Sequence, residues 1–125
     1  MKNILESLIR IKNAQAVKKE TVKLNFSKMG MSILELLKKH GYLDAVKNVT
    51  KKNMEVKLKY KNGIGVIHGI KILSRPSRNL YIGYKEIRPV KQGFGLLVLS
   101  TPKGIIDGKT AKKSKMGGQI LFEIW

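Results

Sequence analysis

Residues 104–110 read GIIDGKT and are the part of the chain most similar to the phosphate-binding loop of nucleotide-hydrolysing enzymes. That loop needs a glycine five residues before the glycine that precedes Lys-Thr. Counting back from Gly108 gives Lys103, so the segment is one residue short. We therefore interpret it as a turn that leads into a short helix, which Asp107 caps at its first residue.

Other catalytic or metal-dependent chemistry would need titratable side chains held close together. The chain has no cysteine, which excludes disulfides and cysteine metal sites and fits a reducing compartment, and its two histidines, His40 and His68, are too few for a histidine-rich site. We predict a protein that is not an enzyme, with no cofactor, no metal and no small-molecule substrate. The acidic residues are scattered without a spacing that brings two into register: Glu6, Glu20, Glu35, Asp44, Glu55, Glu86, Asp107 and Glu123.

Residues 74–81 read SRPSRNLY and combine groups that suit a nucleic acid. Pro76 fixes one backbone angle and biases Arg75 toward an extended conformation. Arginines such as Arg75 and Arg78 can hold a phosphate with two hydrogen bonds, and Tyr81 can stack on an unpaired base. The alternative is a solvated basic turn between two strands, but the charge of the whole chain favours contact with a polyanion.

Residues 100–104 read STPKG and directly follow an apolar run at 96–99. The hydroxyls of Ser100 and Thr101 can bond base edges and ribose hydroxyls, and Lys103 can reach a phosphate. Gly104 allows another backbone to come close. An ordinary turn at the end of a strand explains the same residues equally well.

The charge of the chain indicates the class of its partner. Lysine and arginine number 26 against 8 acidic residues, so the net charge is 26 − 8 = +18 over 125 residues. Basic and apolar residues are interleaved, which is typical of a folded domain with a basic surface and not of a charged tail. A polyanion would relieve the repulsion; nucleic acid is the first candidate and an anionic membrane surface the second. No apolar run approaches the roughly 20 residues that span a bilayer, and the first ten residues do not match a secretory signal.

The hydrophobic spacing predicts an α+β fold in two small halves. The N-terminal half reads α-β-α-β-β, and the C-terminal half is mainly antiparallel β with a short helix. We place the halves at residues 1–65 and 66–125, within a transition at 60–75. The predicted elements are helices at 3–15, 27–39 and 108–114, a hairpin turn at Asn62-Gly63, and strands at 21–26, 42–46, 54–60, 64–73, 80–82, 86–90, 96–100 and 119–125.

The order of several short motifs resembles the small-subunit ribosomal protein eight family. The similarity covers essentially the whole chain, and its specificity comes from the combined order and spacing, because each motif is weak alone. The motifs are LIRIKNA at 8–14, Ser27-Lys28, LKKHGY at 37–42, Ser74-Arg75-Pro76, Tyr81, Gly93-Phe94-Gly95, STPKG at 100–104 and GGQIL at 117–121.

This resemblance implies a non-enzymatic protein of two closely packed α/β halves that binds the central domain of small-subunit ribosomal RNA and supports its assembly. It also implies that the C-terminal half, with the loop at 100–104, reads an irregular RNA helix that exposes an adenine. Regular A-form RNA hides its base edges, so an irregular target agrees with RNA chemistry. Some bacterial members of the family repress their own messenger RNA, so the resemblance extends to translational self-repression.

A few positions depart from the family pattern. Pro102 occupies the place of a usual serine, so the loop is expected to make one hydrogen bond fewer with RNA. Ser77 replaces a usual glycine, and Trp125 stands where a smaller residue is common. Gln119 replaces a usual glutamate and keeps an acceptor without the charge.

The residues and the resemblance together predict the RNA contacts. In the N-terminal half, RNA backbone contacts are expected from Arg10, Lys12, Asn13 and Lys28. In the C-terminal half, the expected RNA-binding residues are Ser100, Thr101, Lys103 and Gly104 in the loop, Tyr81 by stacking, Arg75, Arg78 and Lys109 at phosphates, and Gly117, Gly118 and Gln119 nearby.

The expected partners are small-subunit ribosomal RNA and, by family analogy, ribosomal protein number five. The expected location is the cytoplasmic ribosome, with an organellar ribosome as the alternative. Two rivals from other classes stay open at this point: a phosphate-handling enzyme that uses Lys109, and a membrane-surface protein that uses the second helix.

Overall fold

The computed structural model describes residues 2–75 and 78–125, and within them it leaves out the side chains of Lys2, Asn3 and Gln92. Pro76 and Ser77, on which two of the sequence interpretations depend, lie outside the described residues. The chain divides into two compact units, with the boundary between Ile67 and His68. The mixture of helices and antiparallel sheets confirms the predicted α+β class.

The first unit is a three-stranded antiparallel sheet with two helices, in the predicted order α-β-α-β-β. The strand order is β1-β3-β2, and a small hairpin follows. The elements are α1 (Lys2–Ala16), β1 (Thr21–Asn25), α2 (Lys28–Lys39), β2 (Leu43–Asn48), β3 (Asn53–Leu58), β4 (Tyr60–Lys61) and β5 (Ile64–Gly65).

The residues that were predicted to cap, end or connect these elements do so in the structure. The Ser27 hydroxyl accepts a hydrogen bond from the Gly30 backbone N–H at 2.9 Å and so caps α2. Gly41 ends that helix with a φ of +85°, a conformation that favours glycine. Asn62 and Gly63 both have positive φ and form the two-residue turn between β4 and β5.

The second unit is a larger antiparallel sheet in the order β6-β10-β8-β9, with β7 also paired to β10. Strand β8 is buried at four consecutive positions, Leu96 to Leu99, and with β10 it supplies the core. The elements are β6 (Ile70–Ile72), β7 (Tyr81–Ile82), two 3₁₀ turns (Tyr84–Glu86 and Val90–Gly93), β8 (Leu96–Thr101), β9 (Gly104–Asp107), α3 (Gly108–Lys113) and β10 (Gly118–Ile124).

Two strand predictions are wrong. No strand forms at 86–90: Glu86 ends one 3₁₀ turn, Val90 begins the next, and residues 87–89 between them have no regular structure. Pro89 has no N–H for a ladder, and Ile87 and Val90 are instead buried in one hydrophobic cluster. The strand expected at 64–73 is interrupted at 66–69. There the N–H groups of His68 and Gly69 bond the Trp125 carbonyl oxygen, so His68 lies outside any strand.

One strand was not predicted at all. Strand β9 pairs with β8 from Thr101↔Gly104 to Val98↔Asp107. Its four residues read GIID and lie beside a turn. A strand of four residues is too short for an alternating pattern to be recognised in the sequence. In the described ranges 2–75 and 78–125, no helix is long and apolar enough to cross a membrane.

Candidate nucleic-acid interface

The STPKG segment is the turn of the β8–β9 hairpin. Thr101 pairs with Gly104, and Pro102 and Lys103 are the two exposed turn residues. The Thr101 hydroxyl donates to the Gly104 carbonyl oxygen at 2.8 Å and accepts from the Lys103 N–H at 3.2 Å. Gly104 has a φ of +114°, which side chains rarely adopt. The Thr101 hydrogen is therefore used inside the turn, while the Lys103 side chain is exposed.

A row of residues crosses the sheet beside this turn. Gln119 of β10 lies opposite Tyr81 on one side and Ser100 on the other. Residues that are directly opposite in neighbouring strands lie on the same face of the sheet. Tyr81 is 69% exposed. Within the described part of the chain, the Ser100 hydroxyl has no hydrogen-bond partner. We call Tyr81, Gln119, Ser100, Thr101 and Lys103 the sheet-end surface.

Asn79, which was not among the predicted site residues, contacts the Gln119 side chain. The Gln119 Nε2 atom donates to the Asn79 Oδ1 atom at 3.1 Å. The Gln119 amide keeps its oxygen and one N–H for another partner. Asn79 lies in the SRPSRNLY segment but 40 positions from Gln119, so no local pattern could have paired them.

Gly117 and Gly118 directly precede Gln119 and support the sheet-end surface through their backbone. A Cβ atom at Gly117 would lie 2.4 Å from the Ile82 carbonyl oxygen, and one at Gly118 would lie 2.4 Å from the Ser100 carbonyl oxygen. Both glycines let β10 approach its neighbours closely. Their role in the structure is to place Gln119, and they offer no side chain to a ligand.

Arg75 and Arg78 form an isolated antiparallel bridge. Each backbone N–H donates to the carbonyl oxygen of the other at 2.9 Å, and both side chains are exposed. Ser74, which precedes Arg75 and is fully buried, attaches this bridge to the sheet. The Ser74 hydroxyl donates to the Ile120 carbonyl oxygen and accepts from the Leu80 N–H. This anchoring role could not be predicted from the sequence, because burial of a serine has no local signature.

Lys109 is not brought to the sheet-end surface. It is exposed on α3, which begins after Asp107, and Asp107 pairs with Val98, three positions along β8 from Thr101. That separation is about 10 Å along a strand. The Asp107 carboxylate accepts from the Thr110 N–H and hydroxyl at 3.2 and 2.6 Å, which confirms the capped-helix interpretation of GIIDGKT. Among the described residues there is no group of three or more His, Cys, Asp or Glu that could hold a metal ion.

The first unit contains a separate basic recess between α1 and β1. Its volume is about 490 Å³, and its lining includes Arg10, Asn13, Lys19 and Lys23. The Arg10 guanidinium donates to the Lys23 carbonyl oxygen at 3.2 Å. The Tyr60 hydroxyl donates to the Lys19 carbonyl oxygen at 2.6 Å, and desolvation raises the pKa of Tyr60.

The structure thus brings together two of the four residues predicted in the first unit. Arg10 and Asn13 lie on one face of α1, a helical turn apart, and both line the recess. Lys12 is exposed on α1 outside the lining. Lys28 is exposed at the first residue of α2.

Comparison with known proteins identifies the class of protein to which the chain belongs. A family model described as "Ribosomal protein S8" matches residues 2–125. Relatives called small ribosomal subunit protein uS8 include one from Mycoplasma mobile, 41% identical over 98% of this chain and 94% of the relative. One from Kosmotoga olearia is 42% identical over 98% and 96%, and one from Nitratidesulfovibrio vulgaris is 40% identical over 98% and 96%.

The chain is therefore a ribosomal protein, and it belongs to the ribosomal protein S8 family. This confirms the resemblance in the motif order and the prediction of a structural, non-enzymatic protein.

Proposed function

We propose that this chain is a structural constituent of the small ribosomal subunit, where it binds the central domain of the ribosomal RNA and supports assembly of that domain. Family membership supports the ribosomal role. The net charge of +18, spread over two folded units, supports a polyanionic partner. Ribosomal protein five as neighbour, a cytoplasmic ribosome as location and self-repression remain parts of the proposal that rest on the family resemblance.

The residue composition of the sheet-end surface is the observation that supports recognition of an RNA base. Tyr81 exposes an aromatic ring beside the Gln119 amide and the Ser100 hydroxyl. An exposed ring can stack on an unstacked base while the polar groups bond its edge. Lys103 on the adjoining turn supplies a cation for the neighbouring phosphate. This arrangement fits an irregular RNA helix with an exposed base better than a regular duplex.

The proposal assigns the other predicted residues to the RNA backbone. Arg75 and Arg78 form a backbone bridge next to Ser74, which is hydrogen-bonded to β10, so the two arginines are held by an ordered backbone. Arg10 and Asn13 offer a second contact at the recess of the first unit, with Lys12 and Lys28 on the same unit. Lys109 would contact a phosphate away from the base-reading row.

A binding titration tests the proposal against two RNAs, a central-domain fragment and a generic duplex of equal length. We expect the wild-type chain to prefer the fragment and Tyr81→Ala to lose most of that preference, since base stacking contributes roughly 1–3 kcal/mol per base. Arg78→Gln should weaken binding to both RNAs and lower the salt slope by roughly 0.7–0.9. Equal losses on both RNAs for Tyr81→Ala would overturn base reading by this surface, and no preference in the wild type would overturn the function.

A further inference from the structure

The β2–β3 hairpin ends in a strongly basic turn that the predicted RNA contacts do not include. Residues 47–53 read KNVTKKN, with three lysines and no acidic residue, and all seven are exposed. We call residues 47–53 the hairpin tip. Glu55 lies directly opposite Lys47 across β2 and β3, while Lys51 and Lys52 lie beyond the last residue pair of these strands, Asn48 and Met54. The turn therefore concentrates like charges at Lys51 and Lys52, and an anionic partner would relieve their repulsion.

The backbone of the hairpin tip is fixed by its own hydrogen bonds. The N–H groups of Val49 and Thr50 donate to the Asn53 carbonyl oxygen at 3.1 and 3.2 Å. The Thr50 hydroxyl oxygen accepts from the N–H groups of Lys52 and Asn53 at 3.2 and 3.1 Å. A fixed backbone reduces the entropy cost of binding, so the lysines are presented in a form suited to a partner.

The hairpin tip is also tied to the start of α2, where a predicted RNA contact lies. The Phe26 N–H donates to the Lys52 carbonyl oxygen at 2.8 Å, and Asn25 pairs with Asn53 across β1 and β3. Lys28 follows Phe26 by two residues. Cations from a hairpin and from a helix start are thus gathered at one end of the three-stranded sheet.

The chemistry of the hairpin tip selects phosphate over bases or lipid. A lysine is a compact point charge that contacts phosphate without reading sequence. The tip has no aromatic side chain to stack on a base, and Val49 is its single apolar residue. An interfacial membrane segment would need a broad apolar face beside the charges.

We propose that the hairpin tip and Lys28 form a second RNA-binding surface that holds the phosphates of a duplex independently of sequence. This inference rests on the proposed ribosomal RNA binding. It adds contact with a segment of RNA duplex that the sheet-end surface does not bind. It contributes affinity and orientation, while the sheet-end surface supplies the preference for one RNA.

A charge-matched pair of triple variants tests this second surface. The tip variant is Lys47→Gln, Lys51→Gln and Lys52→Gln. The control, Lys38→Gln, Lys39→Gln and Lys61→Gln, removes the same charge from exposed sites in the same unit. We expect only the tip variant to show a weaker salt dependence on the central-domain fragment, with the slope reduced by roughly 0.7–0.9 for each phosphate that is no longer neutralised. Its preference for the fragment over a generic duplex should be unchanged.

The outcomes separate the two proposals. Equal slopes for the tip variant and its control overturn the second surface and leave the proposed function standing. A wild-type chain without preference for the fragment overturns both. Weaker binding of the tip variant to anionic vesicles, with an unchanged RNA slope, overturns the second surface in favour of a membrane partner.

The absence of cysteine allows a direct test of proximity. Val49→Cys places a single attachment site on the hairpin tip, and Ile64→Cys places a control site on the β4–β5 hairpin; the native side chains are 47% and 65% exposed. With an iron chelate on each cysteine, hydroxyl radicals should cut the bound RNA strongly from position 49 and weakly from position 64. Cutting from position 49 that does not exceed the control overturns the proposal.

Discussion

The Gln119 side-chain amide donates a hydrogen bond to the Asn79 Oδ1 atom at 3.1 Å, which joins β10 to the segment before β7. This bond fixes the orientation of the Gln119 amide. The oxygen and the second N–H of that amide remain for a partner, and one acceptor with one donor matches the edge of an adenine. Asn79 therefore acts through Gln119 and is a positioning residue in the proposed RNA interface.

Coupling between these two residues is the first prediction. Asn79→Ala should weaken binding to the central-domain fragment while Gln119 is present and have little effect once Gln119 is alanine, because it acts by orienting that amide. A double-mutant cycle by calorimetric titration should give an interaction energy of at least about 0.5 kcal/mol. Independent, additive effects would show that the hydrogen bond does not matter for RNA binding.

Ser100 and Thr101 are adjacent hydroxyl residues with different expected effects. Ser100→Ala should weaken binding to the fragment and change the free energy of unfolding by less than about 0.5 kcal/mol, because the hydroxyl has no partner among the described residues. Thr101→Ala should lower the free energy of unfolding by about 1 kcal/mol, since it removes both turn hydrogen bonds. Denaturant unfolding and RNA titration of both variants check this contrast; an unfolding effect for Ser100→Ala as large as that for Thr101→Ala would contradict it.

Substitution of Gly118 should damage the sheet-end surface from within. A Cβ atom there would lie 2.4 Å from the Ser100 carbonyl oxygen, so Gly118→Ala must push β10 away from β8. We expect both the melting temperature and the RNA affinity to fall. Gly83→Ala is the matched control, because nothing lies within 4 Å of its Cβ position and its φ is −80°. Similar melting temperatures for the two variants would show that close approach of the strands is not required.

The elements that could be predicted from sequence are those with complete local signals. Helix α2 has a capping serine, an apolar stripe and a glycine stop, and the structure has all three. Strand β9 and the interrupted segment at 64–73 could not be predicted, because their patterns are short or their partners distant. Within segment 66–69, the Val66 N–H donates to the Lys59 carbonyl oxygen, whereas the His68 N–H donates to the Trp125 carbonyl oxygen.

The candidate site, too, could be predicted only where local residue types indicate it. The turn at residues 100–104, the exposed Tyr81 and the basic SRPSRNLY segment were evident from residue types. That Tyr81, Gln119 and Ser100 form one row depends on strand register, which the sequence does not reveal. The anchors Asn79 and Ser74 bond residues 40 and 46 positions away, so only the folded structure identifies them.

The last prediction concerns the substitution Ser74→Ala. Its buried hydroxyl bonds the Ile120 carbonyl oxygen and the Leu80 N–H, so Ser74→Ala leaves both backbone groups without this partner. The free energy of unfolding should fall by about 1–3 kcal/mol. The control Ser32→Ala changes an exposed serine on α2 and should be nearly neutral. Because Ser74 attaches the Arg75–Arg78 bridge to β10, the variant should also bind both test RNAs more weakly under conditions where it is fully folded. Wild-type unfolding and wild-type RNA affinity in Ser74→Ala would show that the two arginines are held by other interactions.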